Sequence, residues 1–253
     1  MAGMTEDVRF TSTRGPELAG ALEAPEVGQR GWGLFVHGFT LGKDSPAAFR
    51  ISRSLAEEGI GMLRYDNLGI GESDGVLGDG SFSVKVADTV RAAEFLADRG
   101  TPPDLLVGHS WGGAAAILAA QEIPSVRAVV TIGAPAEPAE VERHYDAIAG
   151  TVLEEGSGTW SMGGRAMTLK REFVEDVRRA DLIGRVHTLD RPLLVIHSPT
   201  DATVGIDNAA QIFRAALHPR SFVSLEGSDH FLTVDGQAQR AAKIISAWVD
   251  QYL

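Results

Sequence analysis

Three residues of this chain have types and positions that can work together: Ser110, Asp201 and His230. Ser110 stands in Gly108-His109-Ser110-Trp111-Gly112, after the apolar run Leu105-Leu106-Val107 and before an alanine-rich helical pattern. This predicts a strand, a very tight turn and a helix, with Ser110 at the tip. Gly108 and Gly112 lack the Cβ atoms that would collide in such a turn. The turn lifts the hydroxyl off the sheet and points it at a helix N-terminus, where unpaired backbone N–H groups can hold negative charge. A small-residue turn that only packs a helix onto a strand looks the same locally, so the rest of the chain must separate the two. Asp201 follows one predicted strand, in Ser198-Pro199-Thr200-Asp201-Ala202-Thr203-Val204. His230 follows the next, in Gly227-Ser228-Asp229-His230-Phe231. Each would sit at the carboxyl end of a parallel strand, the edge of an open sheet where ligands bind.

The chemistry these types imply is acyl transfer. A serine hydroxyl is a weak nucleophile until a base takes its proton, and His230 is the expected base. Asp201 would fix the imidazole tautomer and stabilise its charged form. An oxyanion then needs donors already in place: the N–H groups of Trp111, next to the serine, and of Phe39, after His37-Gly38. Asp229 and Asp207 compete with Asp201 as the acid. Asp229 would have to fold back on its neighbour, and Asp207 is expected to cap the following helix. Of the other histidines, His37 and His109 flank the site in turn positions, as pocket or supporting groups. His197 ends a buried strand and is expected to be structural, while His144, His187 and His218 are expected to be solvated. No His/Asp/Glu spacing resembles a metal site, so neither a metal nor a cofactor is expected.

The bulk properties narrow the class. The chain has 253 residues, enough to bury a full core, and is expected to be one domain. Its formal charge of -11 argues against nucleic acid or an anionic membrane as partner. There is no cysteine, which excludes disulfides and thiolate chemistry. Residues 1–7 show neither a basic nor an apolar signal-peptide region, and no run is long enough to span a bilayer. A cytoplasmic protein acting on a small molecule is the expectation, with a homodimer left open.

The elements that must position these residues follow from hydrophobic period. Residues 8–13 and 17–23 read as a hairpin around Arg14-Gly15-Pro16. Residues 33–36 form a buried strand, and 45–58 a helix with Ser45 as cap and Pro46 in its first turn. Residues 61–66 make the next strand. The loop Gly69-Ile70-Gly71-Glu72-Ser73-Asp74-Gly75 lacks the Lys-Ser/Thr ending of a phosphate loop and the third glycine of a dinucleotide fingerprint, so it reads as a turn. Helix 83–99, the Ser110 strand and helix, and strand 126–132 follow. From 136 to 190 the alternation lapses, with a hairpin over 159–169 turning at Gly163-Gly164 and a helix over 171–183. Strand 193–197, helix 208–217, strand 221–225 and helix 237–252 close the chain. Strands alternating with helices mean a mostly parallel sheet covered on both faces.

His37-Gly38-Phe39, Asp66-x-x-Gly69-x-Gly71-x-Ser73, Gly108-His109-Ser110-Trp111-Gly112, Asp201 and His230 resemble the α/β-hydrolase superfamily over nearly the whole chain. The resemblance implies an α/β-hydrolase fold: a mostly parallel eight-stranded sheet, core 1–135 and 191–253, and a small cap insertion, 136–190, between strands 6 and 7. His37-Gly38-Phe39-Thr40-x-x-Lys43-Asp44, Ile132-Gly133-Ala134-Pro135 and the stretch from Asp201 to Ala209 are similar to the hydrolase domain of bacterial hydrolase/OsmC-like fusion proteins. The 253 residues hold no cysteine and no stretch like the peroxidase half, so no peroxidase activity is expected of them. More distantly, the chain is similar to feruloyl (cinnamoyl) esterases, which share the His-Gly-Phe-Thr start and a hairpin-bearing insertion. That likeness implies an apolar wall of Trp160, Met162 and Met167, with His37 and Gly38 beside the substrate. A serine carboxylic-ester hydrolase for small acyl or aryl esters is the resulting expectation. Thioesterase, amidase or cofactor-free perhydrolase activity, or a non-catalytic binding module, stays open.

Overall fold

The computed structural model describes residues 5–253; residues 1–4, part of the stretch read above as lacking a signal peptide, lie outside the described residues. The chain opens with the antiparallel hairpin of β1 (Thr5–Thr11) and β2 (Glu17–Glu23). Strands and helices then alternate: β3 (Gly31–Val36), α1 (Pro46–Glu57), β4 (Ile60–Tyr65), α2 (Phe82–Asp98), β5 (Leu105–His109), α3 (Trp111–Ala120) and β6 (Ala128–Ile132). An inserted segment follows, with a 3-10 turn at Pro138–His144, α4 (Asp146–Glu155), the hairpin β7 (Ser157–Met162) and β8 (Arg165–Lys170), α5 (Arg171–Arg179) and α6 (Leu182–His187). Alternation resumes with β9 (Leu193–His197), α7 (Asp207–Ala215), β10 (Arg220–Ser224) and α8 (Gln237–Val249).

The main sheet has eight strands in the order β1-β2-β4-β3-β5-β6-β9-β10. β2 pairs antiparallel with both neighbours, and the pairs from β4 to β10 are parallel. Both faces of the central strands are buried, so they read as unbroken apolar runs. Successive residues serve opposite layers. Leu34 and Leu106 pack with α2 and α3, whereas Phe35, Leu105 and Val107 pack with α1 and α8. The β7–β8 hairpin forms a separate two-stranded sheet with Trp160 opposite Met167, turning at Gly163-Gly164 as expected. Among the described residues, no helix is long and apolar enough to cross a membrane.

The glycine-rich loop after β4 is a turn built on Asp66. The Asp66 carboxylate accepts from the N–H of Lys43 at 2.6 Å and of Glu72 at 3.0 Å. Gly71, at φ +56°, lies so close that a Cβ there would stand 2.2 Å from Asp66 Oδ2. The carboxylate fills the space an external anion would need.

Four local expectations change. α4 has one fully buried side chain, Val152, so its apolar period is too weak to read from sequence. The helix expected over 171–183 breaks at Ala180, and Asp181 caps α6 by accepting from the Gly184 N–H at 2.9 Å. Ser45 occupies the cap position before Pro46, but its buried hydroxyl makes no hydrogen bond. Asp207 is the first residue of α7, with Ile206 at the cap position and no side-chain cap bond.

Candidate active site

Ser110 sits between β5 and α3 with φ 55° and ψ −131°, a strained conformation for a residue with a side chain. The two flanking glycines make the turn possible. A Cβ on Gly108 would stand 2.4 Å from the Gly112 carbonyl oxygen. One on Gly112 would stand 2.0 Å from that of Val36 and 2.4 Å from that of His37. The start of α3 is therefore pressed against the end of β3. Gly38 has the same kind of proximity, since a Cβ there would lie 3.0 Å from the Ser110 Cβ.

The carboxyl edge of the sheet brings Ser110, His230 and Asp201 together from three separate connections. His230 Nε2 lies 2.9 Å from Ser110 Oγ, and His230 Nδ1 lies 2.7 Å from Asp201 Oδ2. The carboxylate can only accept, so Nδ1 carries the proton and Nε2 presents its lone pair to the hydroxyl. Asp201 Oδ1 accepts from the N–H groups of Thr203 and Val204, each at 2.8 Å. Burial pushes the Asp201 carboxyl up, but the hydrogen bonds from His230, Val204 and Thr203 outweigh it and hold the group below its ordinary value. Neither rival acid is placed to do this. Asp229 accepts from the N–H and hydroxyl of Thr233, and Asp207 belongs to α7.

Trp111 is the first residue of α3, so its N–H has no carbonyl one turn back to meet. Phe39 follows Gly38 in the loop after β3, and its ring stands edge-on to Trp111 at 5.5 Å. The inserted segment covers both rings. Phe173 lies 5.9 Å from each, Trp160 stacks on Phe39 at 6.4 Å, and the Trp111 indole donates to the Pro138 carbonyl at 3.2 Å. The Thr40 hydroxyl, on the same loop, lies 3.0 Å from Met162 Sδ. Met167 shares the hairpin face with Trp160; the contacts to the loop after β3 come from Trp160 and Met162.

The histidines separate by their partners. His37 was expected to contact substrate, and the structure corrects this. It is buried, its Nδ1–H donates to the Gly38 carbonyl at 2.8 Å, and its Nε2 accepts from the Asn67 N–H at 3.2 Å. Both nitrogens are engaged, so the ring ties two loops together. Burial and then the Lys85 charge hold it well below its ordinary value, hence neutral. His109 is also buried and is pushed down to about 3, mainly by burial. Its Nε2–H donates to the backbone carbonyl of His230 at 2.7 Å, pinning the loop that carries that ring. His197 donates to the Val204 carbonyl at 2.8 Å, a structural role as expected. His187 and His218 are exposed. His144 departs from expectation: it is half-buried, stacks on Phe39 at 5.9 Å, and lines a small cavity with Ser110, Pro135 and Val141. The polar run Glu142-Arg143-His144 concealed this, because only the path of the insertion brings it over the site. Among the described residues no cluster of His, Asp and Glu could hold a metal ion.

One buried cation was not anticipated. Lys85 of α2 is 3% exposed, its Nζ makes no hydrogen bond, and its ammonium stands 5.8 Å from the Trp111 ring. Burial pushes its pKa down to about 7, with Asp88 opposing. The unfolded chain therefore binds more protons than the folded one between about pH 7 and the ordinary amine value, and stability from this group rises with pH across that window. The penalty is fully present below about pH 7 and vanishes above the ordinary amine value. Its size at neutral pH is on the order of 4 kcal/mol. Lys85→Met is expected to unfold at higher urea concentration than the parent at pH 7, and the gap is expected to shrink by pH 10. A gap that is absent, or that widens with pH, would contradict this electrostatic account.

A family model described as the alpha/beta hydrolase family matches residues 34–243. Among solved structures, the chain is similar to the esterase domain of a Rhodothermus marinus protein, at 39% identity and TM-score 0.78, covering 98% of this chain and 99% of that one. It is also similar in fold to Est1E from Butyrivibrio proteoclasticus in its ferulic acid complex, at 18% identity and TM-score 0.78, covering 97% and 98%. Dienelactone hydrolase from Anabaena variabilis ATCC 29413 aligns over 100% of both chains at 19% identity and TM-score 0.71. Among curated protein sequences none matches. The chain belongs to the alpha/beta hydrolase family.

Proposed function

We propose that the protein is a serine carboxylic-ester hydrolase acting on small acyl or aryl esters through an acyl-enzyme. The observation that carries this reading is the continuous hydrogen-bonded chain from Ser110 through His230 to Asp201. In the first half-reaction the Ser110 oxygen attacks the ester carbonyl while His230 Nε2 takes the hydroxyl proton. The carbonyl oxygen becomes an oxyanion held by the N–H groups of Phe39 and Trp111. The carbon–alkoxy bond breaks, His230 returns its proton to the departing alcohol, and the acyl group stays on Ser110. Water then repeats the sequence, with His230 again as base, and releases the acid. Asp201 keeps the imidazole oriented and balances its charge throughout. Trp160 and Met162, with Met167 beside them, supply the apolar wall.

The esterase domain similar to this chain supports ester hydrolysis, and the ferulic acid bound to Est1E brings aryl acids into consideration. The test is a panel of p-nitrophenyl acyl esters of increasing chain length, with methyl ferulate and an acyl-CoA. Hydrolysis of short p-nitrophenyl esters or of methyl ferulate, well above that of the thioester, is expected. Turnover confined to the acyl-CoA would move the assignment to a thioesterase, and refusal of every compound would favour a binding module.

His109 has a positioning role in this scheme. Removing its hydrogen bond frees the His230 loop and leaves a buried carbonyl unpaired. His109→Leu is expected to lower kcat by about tenfold to a hundredfold with a much smaller change in KM. His109→Gln, which keeps a donor, is expected to recover part of the loss. Equal losses in kcat for both variants would argue that the ring acts by packing alone.

A further inference from the structure

A narrow cavity of about 20 Å³ is lined by Phe39, Asn67, Lys85, Asp88, Trp111 and Phe173. That volume takes one water-sized group. Two polar groups on its lining have no hydrogen-bond partner. Lys85 Nζ is buried with no hydrogen bond and, among the described residues, no ion pair; Asn67 Oδ1 is buried with no hydrogen bond. Asp88, one turn along α2 and also lining the cavity, acts on the lysine through its charge but makes no hydrogen bond or ion pair with it. Its carboxylate accepts from the Ser12 hydroxyl and from the N–H and hydroxyl of Thr13, at 2.8–3.0 Å. His37, on the neighbouring loop, has both ring nitrogens engaged.

Buried polar groups are nearly always paired, and two orphans lining one water-sized cavity, a donor and an acceptor, call for a common partner. A hydroxyl meets both needs, accepting from Lys85 Nζ and donating to Asn67 Oδ1, and it fits the volume. A methyl group leaves both unpaired. A carboxylate is larger and sets oxygen against the Asn67 oxygen. Phe39 and Trp111, whose N–H groups are assigned above to the carbonyl oxygen, line the same cavity. A group that reaches in therefore belongs to the acyl part of the ester.

We infer that Lys85 and Asn67 form an acyl subsite that selects a hydroxyl, so that esters of short hydroxy acids are the preferred substrates. This rests on the ester-hydrolase reading. The experiment measures kcat/KM for methyl 2-, 3- and 4-hydroxybutyrate against methyl butyrate and monomethyl succinate, in the parent, Lys85→Met and Asn67→Leu. At least one hydroxy ester is expected to exceed methyl butyrate by tenfold or more in the parent, since a site built to bind a hydroxyl rejects its deoxy analogue. In each variant that ratio is expected to fall to within about threefold of one, whatever the absolute rates. Parent turnover with every ratio near one, as from a cavity that holds only water, overturns the inference while leaving the hydrolase reading standing. So does a ratio that survives both substitutions, or a preference for monomethyl succinate. No turnover of any ester, with no fluorophosphonate labelling of Ser110, removes the hydrolase reading and this inference with it.

Discussion

Ser110→Ala is expected to lower ester hydrolysis by a factor on the order of 10⁵ or more, the scale on which losing a serine nucleophile acts. In the proposed reaction the hydroxyl oxygen is the atom that is acylated, and no neighbouring group is placed to replace it. His37 and His109 are tied to backbone groups, and His144 reaches the site from the inserted segment as an imidazole with no base aimed at it. Folding should be almost untouched, because alanine keeps the strained backbone at φ 55° and loses only one hydroxyl. Ser110→Gly is the informative companion. It removes the same hydroxyl and also relieves the left-handed strain, so it is expected to be inactive and more stable than the parent by about 1 kcal/mol. Initial rates with p-nitrophenyl butyrate and urea unfolding curves for both variants check this. Activity retained by either variant would remove Ser110 from the reaction.

The second large effect concerns the turn that presents the hydroxyl. In Gly112→Ala the new methyl would stand 2.0 Å from the Val36 carbonyl oxygen, and β3 is a central strand with both faces buried. Backbone cannot give way there as a side-chain end can. A loss of stability of about 3–5 kcal/mol is expected, at the upper end for overpacking. The displaced helix start would also move the Trp111 N–H. Gly150 is the matched control: it lies inside α4, exposed, with open space where a Cβ would stand. Gly150→Ala is expected to stabilise by about 0.5–1 kcal/mol through helix propensity. Urea midpoints for the two variants should therefore move in opposite directions. A Gly112→Ala protein as stable as the parent would mean that α3 is not held against β3 in solution as it is here.

The alternation of elements and the strand-end positions of Ser110, Asp201 and His230 were legible because local rules set them. A glycine-flanked serine between an apolar run and a helix has few conformations open to it, and strands buried on both faces read as unbroken apolar segments. His37 was misassigned because sequence places a residue near a site without saying whether its ring nitrogens are already engaged. His144 was missed for the opposite reason, since its polar neighbours say nothing of where an irregular insertion will fold. Lys85 did leave a signal. Phe82, Lys85, Thr89, Ala92 and Leu96 share the helical spacing of the buried face of α2, and a lysine in the middle of that stripe marks a buried amine. Its lack of a hydrogen-bond partner could not be read, because Ser12 and Thr13, which engage Asp88, are far away in sequence.

Mass spectrometry after fluorophosphonate treatment reaches the central claim most directly. A single adduct on the peptide carrying residue 110, formed in step with loss of ester turnover and suppressed in His230→Ala, is the result this account requires. Continued hydrolysis by unlabelled protein, or an adduct on some other side chain, would show that the hydroxyl held by His230 is not the group that reacts.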